Sequence, residues 1–364
     1  MGRMLKLFTA GITEMYRRRW PKNAALTFDQ MFPGIQKINW EGGQPVSRQD
    51  MSDLPDYRPT YAHHKDLALR DDFSAIVADG LICPLNNAVM GPKGHLLAES
   101  FSPVLRRDPL QKPLYMLRKP HYVTGFGMPF RATWPAYFHV MIEALPRLLA
   151  LNEPPFSHLE EIQLLCSTPP SRLEKWFVSR LAPKNCTFVV VDRVDRRWRV
   201  ENLIFTTFKN AGGFLRPEYL SEFRRRVLPD RPPRKTRRVL INRKGHKREI
   251  ANMEELEAGL KPWGFETVFP ETLSVEEEIA LFYDAECVVG AHGSGFTNLI
   301  FSSNTAVVEI FATRTFIPIS YEICLALGHD YRFVMGRGED EFPEAYEVDV
   351  EAVVGRVLEF GIAK

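Results

Sequence analysis

Residues Cys287–Phe301, CVVGAHGSGFTNLIF, run from a β-branched apolar stretch through three glycines and a histidine into a helix-like tail. A strand that ends in a glycine-rich turn and leads into a helix is the unit from which parallel α/β sheets are built. Glycines permit positive φ and let the backbone approach a ligand, while the N–H groups and dipole of a helix start favour an anion. The spacing matches neither the dinucleotide fingerprint G-x-G-x-x-G nor the phosphate loop that ends in Lys. It reads as another kind of phosphate loop, formed by His292, Gly293, Ser294 and Gly295, or else as a tight structural turn.

The same rhythm continues on both sides. Upstream, VLIN (239–242) predicts a strand, and NMEELEAGL (252–260) a helix in which Asn252 and Glu255 have the spacing of a capping pair. FETVFP (265–270) predicts a strand, and SVEEEIALFYDA (274–285) a helix opened by Ser274 and Glu277 at capping-box spacing. Downstream come a strand in AVVEIF, a helix in ISYEICLALG, the short run YRFVM and a closing helix in DVEAVVGRVLEFG. In the first half, IQLLCS, SRLEKWFVSRLA and TFVVVD give strand, helix and strand, and the short apolar runs between Phe73 and Phe101 read as strands and turns. Such alternation implies a parallel sheet covered on both faces, with ligands beyond the carboxyl ends of its strands.

A chain of 364 residues is long enough for two domains. The stretch PPRKTRR reads as a linker, which places the boundary between Gly212 and Thr236; we take residues 1–220 and 221–364 as the two domains. With 45% hydrophobic and 25% charged residues, the composition is that of a globular chain and excludes disordered and fibrous classes. A net charge of +2 gives no overall field for nucleic acid. The basic run from Arg224 to Arg248 could nevertheless meet nucleic acid, anionic lipid or a nucleotide diphosphate, or be a solvated helix end and linker. Five scattered cysteines without C-x-x-C spacing suggest neither disulfides nor zinc and fit a reducing cytoplasm. The amphipathic start MGRMLKLFTAGITEMYRRRW lacks a spanning apolar core but could rest on a membrane surface, a peripheral contact at its inner face.

Several side chains carry candidate chemistry. Arg243 ends the first strand of the second half and Arg248 follows five residues later; strand-end arginines can fork onto phosphate oxygens. Asn298, on the first turns after the glycine loop, can donate and accept, as a ligand or as a local cap. Glu309 closes an apolar strand with a carboxylate suited to the two hydroxyls of a ribose, or to a salt bridge. In PAYFHVMIEALPRLLAL (135–151), His139, Glu143 and Arg147 share one helical face, and Pro146 should kink the helix because it cannot donate to Ile142. A His and a carboxylate at i and i+4 form a general-base unit or an ordinary helix pair.

Taken together and in order, AYFHVMIEALPRL, INRKGHKREIAN, the segment ending GAHGSGFTNLIF, and VVEIF resemble the family 61 glycosyltransferases. The chain departs from that pattern at Ala136, Val140, Ser294 and Phe296. The resemblance implies a GT-B fold of the α/β class: two Rossmann-like domains facing across a cleft, with the C-terminal helix crossing back to the first. It implies inverting transfer of a sugar from a nucleotide-sugar donor, UDP-linked, to a glycan or lipid-linked acceptor in bacterial capsular or surface polysaccharide synthesis. No cofactor or metal is required, and no nucleic acid is a partner. Carried onto this sequence, Arg243, His292, Gly293, Ser294, Gly295 and Asn298 hold the nucleotide diphosphate and Glu309 the ribose; Arg248 is a further candidate for the nucleotide sugar, and His139 with Glu143 is the candidate base, since inversion requires one from the facing domain. The chain has no D-x-D triplet, and the acidic run Glu339–Asp340–Glu341 reads as a loop. An NAD(P)-dependent oxidoreductase and a non-catalytic nucleotide- or RNA-binding protein are the alternatives.

Overall fold

The computed structural model describes residues 25–40, 72–91, 95–100, 118–131, 136–210, 215–313, 316–340 and 342–363. The amphipathic N-terminal segment and the expected helix start at Pro135 lie outside the described residues. Apart from residues 43–67, the chain divides into one unit closing at Ala211 and another opening at Gly212.

The first unit holds a nine-stranded mixed sheet. Its strands are β1 (Ala25–Leu26), β2 (Ile38–Asn39), β3 (Phe73–Cys83), β4 (Ala88–Met90), β5 (Leu96–Leu97), β6 (His121–Pro129), β7 (Ile162–Cys166), β8 (Cys186–Val190) and β9 (Trp198–Thr206). The order is β1-β5-β4-β3-β9-β6-β7-β8, with β2 beside β3. Only part of it is the expected parallel sheet: β9, β6, β7 and β8 run parallel, whereas β3 pairs antiparallel with β2, β4 and β9. The reason is local. Four residues, Pro84–Asn87, link β3 to β4, and a turn that short permits only an antiparallel return. The parallel pair β6 and β7 is joined by a longer segment that contains a helical stretch, His139–Asn152.

The second unit is a fully parallel five-stranded sheet. Its strands are β10 (Arg237–Ile241), β12 (Phe265–Val268), β13 (Ala285–Ala291), β14 (Ala306–Phe311) and β15 (Asp330–Met335), in the order β12-β10-β13-β14-β15. A separate parallel pair joins β11 (Glu249–Ile250) to β16 (Ala345–Tyr346). Val239 and Leu240 face Val288 and Val289, which in turn face Val307 and Val308, the fully apolar runs of a sheet buried on both sides.

Helices α3 (Pro217–Val227), α4 (Met253–Leu260), α5 (Val275–Tyr283), α6 (Ile319–Leu327) and α7 (Val350–Leu358) complete the unit; α1 (Phe28–Met31) and α2 (Arg172–Leu181) belong to the first. Helix α5 starts with the expected capping box: Ser274 Oγ accepts from the Glu277 backbone and the Glu277 carboxylate accepts from that of Ser274. Asn252 precedes α4 but does not cap it. Its amide instead bonds both backbone groups of Val348, at 2.9 and 3.0 Å, and so ties down the approach to α7. Helix α7, expected to cross back to the first domain, packs on its own unit: Val353 and Val357 share a core with Leu256, Leu260 and Val308. Those two valines stand four residues apart on one helical face, and α4 supplies the complementary apolar face. No helix among the described residues is long and apolar enough to cross a membrane.

Candidate active site

In the second unit the chain leaves β10 for β12 on one side, then crosses to β13 on the other. Strands β10 and β13 therefore flank the switch point of a doubly wound sheet, where the crevice beyond the strand ends accepts ligands. Arg243 stands two residues past the end of β10, and His292 directly follows β13.

The glycine loop fits into this crevice by closeness. A Cβ added at Gly290 would lie 2.9 Å from Ile241 Cβ, and one at Gly295 would lie 3.3 Å from Ile241 Cγ2. At Gly293 it would fall 2.0 Å from Nη1 of Arg243. The guanidinium thus lies against the loop backbone, and glycine there keeps the space for it. None of these three glycines lies in the left-handed region; Gly293, at φ 169°, is extended. Ser294 opens the eight-residue 3-10 helix Ser294–Phe301 and is exposed, so its end of the helix presents N–H groups to the outside.

His292 is held on three sides. Its backbone N–H donates to Ile310 at 2.7 Å, its ring stacks on Phe311 with centroids 4.9 Å apart, and Nδ1 lies 2.6 Å from Oε1 of Glu309. Burial pulls the imidazole pKa down, the Glu309 carboxylate opposes this, and the charges of Arg248 and Arg243 lower it further. Burial thus favours the neutral ring. Arg243 is also partly desolvated, which lowers its pKa, and it has no ion-pair partner among the described residues; its bonds go to the Lys247 carbonyl at 3.3 and 3.4 Å. Arg248 has a left-handed backbone, φ 65°, and its guanidinium stands 5.2 Å from the Phe342 ring centroid. Arg243, Arg248, His292 and the glycines are thus brought together.

Two expected ligand contacts are placed otherwise. Glu309 is fully buried, and its carboxylate accepts from Ser320 Oγ and Tyr331 Oη, each at 2.7 Å, besides facing His292. Full burial and three internal partners turn this carboxylate inward. Asn298 is fully buried as well, and its amide donates to Glu278 of α5 at 2.6 Å. Ser320, Tyr331 and Glu278 carried no signal in the sequence, because each reaches its partner from a different element.

In the first unit, His139 opens a π-helical stretch, His139–Ala144, that passes into a 3-10 helix, Leu145–Asn152. The Leu145 N–H reaches back to Val140, and Pro146, which cannot donate, stands at the change of helix type. His139 Nδ1 lies 2.8 Å from Oε2 of Glu143. The Glu143 side chain is fully buried and the His139 ring is 16% exposed, so Nε2, which has no partner among the described residues, is the open side of the pair. Arg147 lies beneath, donating to the carbonyls of Pro129 and Phe130 at 2.9 and 2.5 Å. Burial brings its pKa down to about 10, against the pull of Glu143. The polar face seen in the sequence is therefore internal, and only its histidine end reaches the outside.

The family model of glycosyltransferase 61 matches residues 137–308, a little under half of the chain, and takes in both histidine sites. The chain carries a glycosyltransferase 61 domain. Its reaction class is accordingly glycosyl transfer, which requires a sugar donor and an acceptor. No curated protein matches the chain. The matched region of the glycosyltransferase 61 domain begins two residues before His139 and ends one residue before Glu309.

Proposed function

We propose that the protein is an inverting, metal-independent glycosyltransferase that moves a sugar from a nucleotide-sugar donor, UDP-linked, to a hydroxyl of a glycan or lipid-linked acceptor in surface polysaccharide synthesis. The observation that carries this reading is the meeting of Arg243, without an ion pair among the described residues, and the His292–Gly295 loop at the switch point of the second unit. A guanidinium fork, a neighbouring second arginine and helix-start amides suit a diphosphate. The reading assigns the donor to the second unit and the acceptor side to the first, in a GT-B arrangement at the cytoplasmic face of a membrane.

Chemically, the acceptor oxygen bonds to the anomeric carbon as the bond from that carbon to the diphosphate oxygen breaks, inverting the centre. The acceptor proton passes to Nε2 of His139, whose ring Glu143 orients and whose positive charge the buried carboxylate stabilises. Arg243, Arg248 and the loop amides meet the charge that develops on the leaving diphosphate.

The test is release of nucleoside diphosphate from a panel of nucleotide sugars by purified protein, with product configuration read by NMR. His139→Ala should cut turnover by about 10²-fold or more while nucleotide affinity stays within about twofold. Failure of every nucleotide sugar to bind, or retained anomeric configuration, would overturn the reading.

A further inference from the structure

The environment of His292 fixes more than its position. Nδ1 faces Glu309 Oε1 at 2.6 Å, and the same carboxylate accepts hydroxyl hydrogens from Ser320 and Tyr331. Burial and the carboxylate hold the Tyr331 phenol well above its usual pKa, so that group remains a donor. A carboxylate that gathers donors accepts from Nδ1–H, and in a neutral ring this leaves Nε2 as a lone pair. The Phe311 stack and the Glu309 bond keep the ring from turning, and the backbone bond to Ile310 fixes the main chain that carries it. Nε2 has no partner among the described residues, and the ring retains 9% exposure beside the loop.

An anionic oxygen cannot settle against that lone pair. With Nδ1–H committed inward, His292 can donate to an anion only as imidazolium. Glu309 faces the His292 ring from β14; Tyr331 of β15 and Cys324 of α6 face Glu309, the thiol pushed well up by burial. Arg243 and Arg248 face it from the segment after β10, and Tyr346 of β16, pushed up by burial, stands near both arginines and donates to the Ile310 carbonyl. Of these groups, the two arginines are the ones whose charge a bound diphosphate would offset.

Resting on the donor site proposed above, we propose that Glu309 is a positioning residue that commits Nδ1 of His292 inward, so that each diphosphate bound at Gly293–Gly295 brings one proton from solvent onto Nε2. The proton leaves when the diphosphate leaves. Glu309 thus acts on the ligand through the protonation of its neighbour.

The test uses the full chain and UDP-, GDP- and dTDP-glucose, whose diphosphate diesters do not titrate between about pH 5.5 and 8. Nitrogen-15 NMR of the free protein should show the His292 proton on Nδ1, and the probe that binds should convert the ring to imidazolium. Calorimetry in buffers of different ionisation enthalpy should give uptake approaching one proton. Affinity should tighten by up to about tenfold per pH unit lowered. Glu309→Gln, whose amide can donate to Nδ1 and release Nε2–H, should bind with under about half the wild-type proton uptake, and His292→Gln with none. A free-protein proton on Nε2, or binding by the wild type without proton uptake, would overturn the proposal. Binding by no probe defeats the donor-site reading instead, and the tautomer of the free protein still decides the role of Glu309.

Discussion

Gly290 and Gly293 are three residues apart in one loop and do different work. The sequence suggested that the loop glycines serve positive φ, yet their backbones are ordinary and what they lack is space for a side chain. At Gly290 the obstacle is the neighbouring strand, with Ile241 Cβ at 2.9 Å and its carbonyl oxygen at 3.1 Å from an added Cβ. Gly290→Ala should therefore cost about 1–3 kcal/mol, read as a lower denaturation midpoint. At Gly293 the obstacle is the far end of Arg243, which can swing aside. Gly293→Ala should leave that midpoint nearly unchanged and weaken nucleotide-sugar binding by about tenfold or more, since it displaces a charge-assisted donor. Equal effects of the two substitutions on stability would contradict this division.

The helix Ser294–Phe301 shows how an element is held at its far end so that its near end can bind. Arg224 donates to the Ile300 and Ser302 carbonyls, and Lys235 to Ala285, Ser303 and Thr305. His329 completes the brace: Nε2–H faces the Leu299 carbonyl at 3.1 Å, and Nδ1 accepts from the Thr305 N–H at 3.3 Å. Only the neutral ring satisfies both. Burial, with Arg224 and Lys235 nearby, takes its pKa down to about 4, below the ordinary 6.5. The unfolded chain therefore binds this proton first. Stability from this group is full above about pH 6.5, falls as pH drops, and levels below about pH 4, a loss on the order of 3 kcal/mol. Denaturation midpoints followed across that range should show the slope, and His329→Gln should flatten it. The His139–Asn152 stretch teaches a related lesson: Pro146 announced a break in the sequence, but the change from π to 3-10 winding emerged only with the packing.

Across the whole molecule, the basic run from Arg224 to Arg248 is largely consumed internally. Arg225 and Arg226 pair with Glu222, Arg231 with Asp284, Arg237 with Glu266 and Arg238 with Glu286. We expect single-stranded RNA of about 20 nucleotides to bind more weakly than roughly 10 μM at physiological salt, read by fluorescence anisotropy; tighter binding that falls steeply with added salt would favour the RNA-binding alternative. Within the second unit, the strands, helices, Ser274–Glu277 box and glycine loop were legible because apolar period, capping and turn chemistry act over a few residues. The antiparallel half of the first sheet was less so, since short apolar runs do not state their partners. By itself the sequence determined the strand–loop–helix units and the residue types at their ends, along with the His139–Glu143 spacing. Only the tertiary structure decided that Glu309 serves His292, Ser320 and Tyr331, that Asn298 serves Glu278, and that α7 stays on its own sheet. Those outcomes depend on register and packing between elements far apart in the chain, where a buried polar group takes whichever partner the fold places beside it.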